Sequence, residues 1–399
     1  MTDSLGVEGY SVFAVLASLA GWFALADFGI AVSLQNHISE RRVAQQEVDD
    51  LILTASLLAL AAAVTVSLAA FLLGPWLSSL VLGEFASFSS RERMLAFWGM
   101  AFPAIGTALG GVAYKVWFAE HRGYLSNLTP AAGTVLGTLG VWLVARGGTP
   151  PLLAWSTFAY YTPLALLPLV TLGAMVLCIS RRHRVSWSLA RPLLGRAARF
   201  WLFGLLAAAV LQVDFIIMAH VLMPDDIVIY SIASRVFGLV FFAYNALLFA
   251  LWPVCSEAIA AGRWDQVFVL MRRYLMLGTG LIVAAGFGVA LVRDTAVELL
   301  APTIDATIPV VVVALLTLYI VVRVWADTFA MVLQSMNDLA IFWIAVPLQA
   351  ILSIALQWLG ARYFGLPGVI VGLIACFLAT VAWIFPLRCR HNARIAREI

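Results

Sequence analysis

The chain has 399 residues, 63% of them hydrophobic and only 11% charged, with a formal net charge of +3. A globular domain carries about 25% charged residues, so this composition excludes a soluble protein, and so small a net charge points to no nucleic acid. Four cysteines (Cys178, Cys255, Cys376, Cys389) stand far apart with no CxxC or Cys/His cluster, which points away from zinc and redox pairs and toward buried, apolar thiols.

Met1 to Gly9 lacks the basic start of a cleavable signal peptide. The first apolar run, 10–33, carries a single acid, Asp27, and gives way to a polar segment ending in Glu40, Arg41 and Arg42. A run of about 20 such residues spans a bilayer as one helix, with its backbone groups satisfied internally. Ten more apolar segments follow, at 51–73, 94–117, 125–145, 152–179, 200–222, 227–252, 273–292, 308–333, 339–359 and 366–387. The gaps between them are too short for a soluble domain. Prolines at 103, 163, 168, 253 and 347 fall within or beside these segments and invite kinks.

Basic residues set the orientation. Alternate gaps and the C-terminal tail hold 17 of the 24 Lys and Arg residues, the opposite set holds 5, and Arg235 and Arg323 lie inside segments. The positive-inside rule then places the C-terminus and the 181–199 loop in the cytoplasm.

The chain also repeats itself. Tyr10-Ser-Val-Phe, a helix and Ser39-Glu40 match Tyr230-Ser-Ile-Ala, a helix and Ser256-Glu257, with Tyr-to-Glu spacings of 30 and 27. Both copies run in the same sense across the membrane, as in transporters built from parallel repeats. The second copy is preceded by the helix at 200–222; a counterpart in the first would fall before Met1. The expected fold is an all-α polytopic membrane protein with two parallel-repeat helical lobes. Residues 1–180 form a five-helix N-terminal lobe that lacks the first helix of a six-plus-six plan, 181–199 a basic cytoplasmic loop, and 200–399 a six-helix C-terminal lobe.

In order and spacing, Leu5-Gly-Val-Glu-Gly-Tyr10, Leu25-Ala-Asp-Phe-Gly-Ile30, Gln35-Asn36, Gln212-Val-Asp214, Ile232-Ala-Ser-Arg235 and Trp252-Pro253 resemble the polysaccharide (O-antigen) flippases of the multidrug/oligosaccharidyl-lipid/polysaccharide exporter superfamily. The likeness covers the whole chain, although Ser11 stands where such sequences commonly have Gly. It implies two lobes around a central cavity and transport of undecaprenyl-pyrophosphate-linked oligosaccharide to the outer leaflet of a bacterial inner membrane by alternating access. The implied partners are lipid-linked oligosaccharide, the bilayer and other membrane proteins of polysaccharide assembly. No cofactor or resident metal is expected, and any coupling is to H+ or Na+.

Ionisable residues at depth cost about 2.5–3.5 kcal/mol each unless paired or hydrated, so they are the candidate site. Asp214 and Arg235 fall at similar depths on adjacent antiparallel helices. They read either as a salt bridge pinning the hairpin or as one that also presents Arg235 to a phosphate. Arg323 and Asp327, at i and i+4, neutralise each other on one helix face and are candidates to line the cavity. Asp27 reads as a helix-end acid or as an ion site. Lys115, at a cytoplasmic helix end, snorkels to the interface or receives pyrophosphate. The substrate-binding candidates are therefore Arg235, Arg323 and Lys115; the charge-pair or ion-coupling candidates are Asp27, Asp214 and Asp327. Trp155, Tyr160 and Tyr161 are candidates to stack on sugars.

Three other readings share parts of this pattern. A cation-coupled exporter of small organic molecules would want an acidic cavity. A membrane enzyme of polysaccharide assembly would want a large outer loop with clustered acids and bases, and the outer gaps are short. A scaffold without transport activity is the third.

Overall fold

Leu, Val and Ala runs of this length become helices in the computed structural model, which describes residues 2–120, 122–147, 152–300, 307–336, 338 and 340–398 and has no strand among them. The chain divides into two units, at 1–208 and 209–399. The division therefore falls inside the helix that was expected to open the C-terminal lobe.

The first unit contains α1 (Thr2–Phe23), α2 (Ile30–Val43), α3 (Asp49–Leu82), α4 (Ser90–Ala119), α5 (Gly123–Gly147), α6 (Leu152–Ser180) and most of α7 (Ala190–Leu211). Its core gathers Ile30, Leu34 and Ile38 from one stripe of α2, Leu51, Ala55 and Ala59 from α3, Val112 and Val116 from α4, and Leu193 and Ala197 from α7. Spacings of four put each set on one helix face. The opposite face of α3 presents Val64, Leu68 and Leu72 outward, with Leu72 65% exposed. Apolar stripes that meet no protein are the surface a bilayer covers.

The second unit contains α8 (Val213–Val221), α9 (Pro224–Ala260), α10 (Trp264–Leu300), α11 (Val310–Ser335), α12 (Phe342–Ala379) and α13 (Val381–Glu398). Ten stretches of the described chain are long and apolar enough to cross a membrane, and the last, Phe342–Ala396, is 55 residues long. That stretch holds two crossings. Gly365, at φ 62 and ψ −146, reverses the chain inside α12. Beyond the reversal Gly368 faces Gly360 and Gly372 faces Leu356 in close antiparallel contact. Among the described residues this makes room for the eleven crossings expected, and the chain is a multi-pass membrane protein.

Four details differ from expectation. The first apolar helix ends at Phe23 rather than 33, because residues 24–29 form turns with Phe28 at φ 51 and Gly29 at φ 76. The sixth segment starts earlier, at Ala190, and breaks at Gln212. Non-helical backbone interrupts helices at Gly6 and Gly365, where glycine alone reaches the angles without strain, while Pro103, Pro163, Pro168 and Pro347 stand within helices. Of the four free cysteines three are buried, but Cys178 is exposed.

Candidate functional site

Three of the charges expected at depth, Asp214, Arg323 and Asp327, gather in the second unit, around the seam between α9 and α11. Every fourth residue of α11 from Tyr319 contributes: Tyr319, Arg323 and Asp327. Arg323 stands 13 residues into a 26-residue helix, about 20 Å from its start. Its guanidinium lies 4.3 Å from the Phe241 ring centroid and 5.9 Å from that of Tyr319. A terminal nitrogen is 3.6 Å from a carboxylate oxygen of Asp327, and the two side chains are 20% and 32% exposed. Arg323 Nε is buried and has no hydrogen-bond partner among the described residues. A loose ion pair beside an unsatisfied donor leaves this cation with unused binding capacity.

One turn toward the end of α11, Asp327 opens onto a cavity of about 160 Å³ lined also by Asn245, Leu248 and Trp252 of α9 and by Met331 and Gln334. Tyr244 and Thr328 close the seam behind it. Thr328 Oγ1 gives its proton to the Val324 carbonyl at 2.6 Å, so the Tyr244 hydroxyl donates to Thr328 at 2.5 Å.

Asp214 joins this cluster, but not through the expected arginine. Buried in the first turn of α8, it accepts from the Tyr230 hydroxyl at 2.6 Å and from the Phe215 amide at 2.9 Å. Tyr319 is within electrostatic reach of Asp214, Arg323 and Asp327 together. Arg235, five residues beyond Tyr230, points about 140° away around α9 at 100° per residue and is exposed. Helical register thus gives the carboxylate a phenol as its partner.

Asp27 and Lys115 meet in the first unit, close enough for each charge to act on the other. Asp27 accepts from the backbone N–H groups of Gly29 at 3.0 Å and Ala31 at 2.9 Å, satisfying donors at the start of α2. That is the helix-end role. A side chain at Gly29 would run into the Ala197 carbonyl and the Trp201 backbone, so the turn also seats α2 on α7. Replacing Asp27 with Ala should cost about 1 kcal/mol of stability, read as earlier thermal unfolding in detergent, while Asp27→Asn, which keeps one of the two accepting oxygens, should unfold between the two and transport much as the parent does. Lost transport in a stable Asp27→Asn protein would restore the ion-site reading. Lys115 is partly buried, with its ammonium 5.5 Å from the Phe118 ring.

The sugar-stacking candidates are largely occupied. Tyr160 and Tyr161 pack on Phe13 of α1 at 5.3 and 6.2 Å, whereas Trp155 is exposed beside Phe158. The side chains of Ser39, Ser256 and Glu257 in the repeat lie outside the described residues. Sequence reasoning missed Tyr319, Phe241 and Asn245; the four-residue spacing from Arg323 was signal enough for the first, but the other two sit on a different helix.

No family model matches this chain. It is 39% identical, over all of its length and 92% of the relative's, to "Putative O-antigen export protein" of Yersinia pseudotuberculosis. It is 35% identical to "Putative O-antigen transporter" of Salmonella typhi, over 99% of this chain and 91% of that one. Among solved structures it resembles an inward-facing multidrug resistance MATE family transporter of the MOP superfamily, with a TM-score of 0.82 at 14% identity, covering 99% of this chain and 92% of that one. A MOP superfamily transporter from Pyrococcus furiosus gives 0.64 at 15% identity, covering 98% and 91%. At such identities the structural likeness concerns the fold.

Proposed function

The chain belongs to the family of O-antigen transporters, and from that premise we propose that it is a flippase for lipid-linked oligosaccharide. It carries polysaccharide repeat units on an undecaprenyl-pyrophosphate lipid from the cytoplasmic to the outer leaflet of a bacterial inner membrane, opening alternately to the two sides. The observation that carries this reading at the site is Arg323, a guanidinium at mid-helix with a loose carboxylate partner and an Nε that has no partner among the described residues. A diphosphate is a better match for the planar guanidinium fork than a carboxylate 3.6 Å away. On arrival it takes Arg323 from Asp327, and the released carboxylate takes up H+ or Na+. That exchange couples the lipid's passage to an ion. Asp214, tied to Tyr230, anchors α8 against α9.

In cells, deletion should leave lipid-linked repeat units on the cytoplasmic leaflet, and the gene supplied in trans should restore surface polysaccharide. Unchanged accumulation with the protein present in the membrane would overturn the reading. The arginine distribution supports a cytoplasmic C-terminus. A reporter fused after Ile399 should read cytoplasmic and one inserted in the Arg146–Pro151 gap external; both on one side would be incompatible with eleven crossings.

A further inference from the structure

At the end of the second unit where α10 begins and α13 ends lies a second cationic feature, separate from the Arg323 seam. A cleft of about 280 Å³ is lined by Phe268 of α10 and by Arg390, Ala393 and Arg394 of α13. Arg390 and Arg394 are four residues apart and so share one helix face, and both are exposed. Arg272 lies four residues beyond Phe268, on the same face of α10, and is exposed as well.

The rotation of α13 about its axis is fixed. Arg388 donates to both carboxylate oxygens of Asp338, at 2.7 and 3.3 Å, and Asn392 donates to the same group at 2.7 Å. Arg388 and Asn392 together hold the Asp338 carboxyl below the usual carboxylate range. Cys389 and Ala393 are buried on the inner face. With these two faces committed, Arg390 and Arg394 are turned to the cleft. The acid on the same stretch of α10 is Asp265, one turn before Phe268, at the helix start.

We propose that this cleft binds the phosphate groups of a lipid headgroup, with Arg390 and Arg394 as the phosphate ligands, Arg272 as a third cation and Phe268 as the apolar wall against the chain. Two guanidiniums converging on one space suit a multiply charged oxyanion, and the cleft lies at the ends of two membrane-crossing helices, where lipid phosphates sit. The same chemistry is offered by a polyprenyl diphosphate and by an anionic phospholipid. Arginines that only orient the protein in the membrane require no such convergence. The site concerns binding alone and stands whether or not the chain flips lipid.

The test uses the purified full-length protein in phosphatidylcholine nanodiscs, titrated with inorganic pyrophosphate by calorimetry. The R390A/R394A double variant should bind at least about tenfold more weakly, as expected for two lost charge-assisted contacts. R390K/R394K should fall between, Asp265→Asn should bind more tightly, and Arg362→Ala, an exposed arginine near the Gly365 reversal, should bind as the parent does. Elution as a single species on size exclusion confirms that the double variant is folded. Identical isotherms for parent and R390A/R394A, or no binding by the parent, would overturn the proposal. Nanodiscs doped with polyprenyl diphosphate or with phosphatidylglycerol identify the source: whichever lipid abolishes pyrophosphate binding in the parent is the natural occupant. If neither does, the headgroup assignment falls.

Discussion

Replacing Arg323 with alanine is expected to lower export by roughly two orders of magnitude, the equivalent of about 3 kcal/mol lost from one desolvated charge contact. The protein should still insert, because α11 remains apolar on either side of the change. Arg323→Lys keeps the charge but not the planar fork, and should recover part of the activity. Alanine also strands Asp327, whose oxygen lies 3.6 Å from the guanidinium, so the single variant mixes two effects. An R323Q/D327N double variant separates them by removing both charges and preserving shape. It should be as abundant in the membrane as the parent and fail to export. Normal export by the double variant would reduce Arg323 to a structural counter-ion.

The second large effect concerns the reversal in α12. Gly360 and Gly368 approach backbone to backbone, and a Cβ on either would overlap the other's carbonyl group. A Gly368→Val protein must separate the two crossings. That disturbs the Cys376 thiol donating to the Gln349 carbonyl across the pair. Overpacking a core costs about 1–3 kcal/mol, and this obstacle is main chain that cannot swing aside, so the cost lies at the upper end or beyond. Loss of the monodisperse peak on size exclusion is the expected result. Gly288→Ala, at a helical position with open space around it, should leave that peak intact. Equal behaviour of the two variants would mean that the close approach is not what holds the hairpin.

These two sites differ in how far the sequence reveals them. The crossings were legible because a membrane helix needs about 20 apolar residues whatever it packs against, and both segments of the α12 hairpin were visible on either side of Gly365. The break at 24–29 was hidden. It rests on Phe28 adopting a left-handed conformation, which phenylalanine does not advertise, and on Asp27 capping a helix that reads as a continuation of the first. Depth put Asp214 beside Arg235, but depth says nothing of rotation, and Tyr230 occupies the face that meets α8. The Arg323–Asp327 pair was legible from its spacing of four, whereas Phe241 and Asn245 enter the site only through the packing of α9 on α11. The early start of α7 was hidden in the same way: residues 190–199 read as part of a basic loop, but their helix buries Leu193 and Ala197 in the core of the first unit.

Reconstituted flipping tests the central claim most directly. Purified protein in liposomes carrying a fluorescent undecaprenyl-pyrophosphate oligosaccharide in one leaflet should move it to the other, measured as the fraction of label reached by a membrane-impermeant quencher over time. The account predicts protein-dependent transfer that R323Q/D327N abolishes, with an oligosaccharide-free organic cation left unmoved. Transfer no faster than in empty liposomes, or export of the cation in its place, would contradict it.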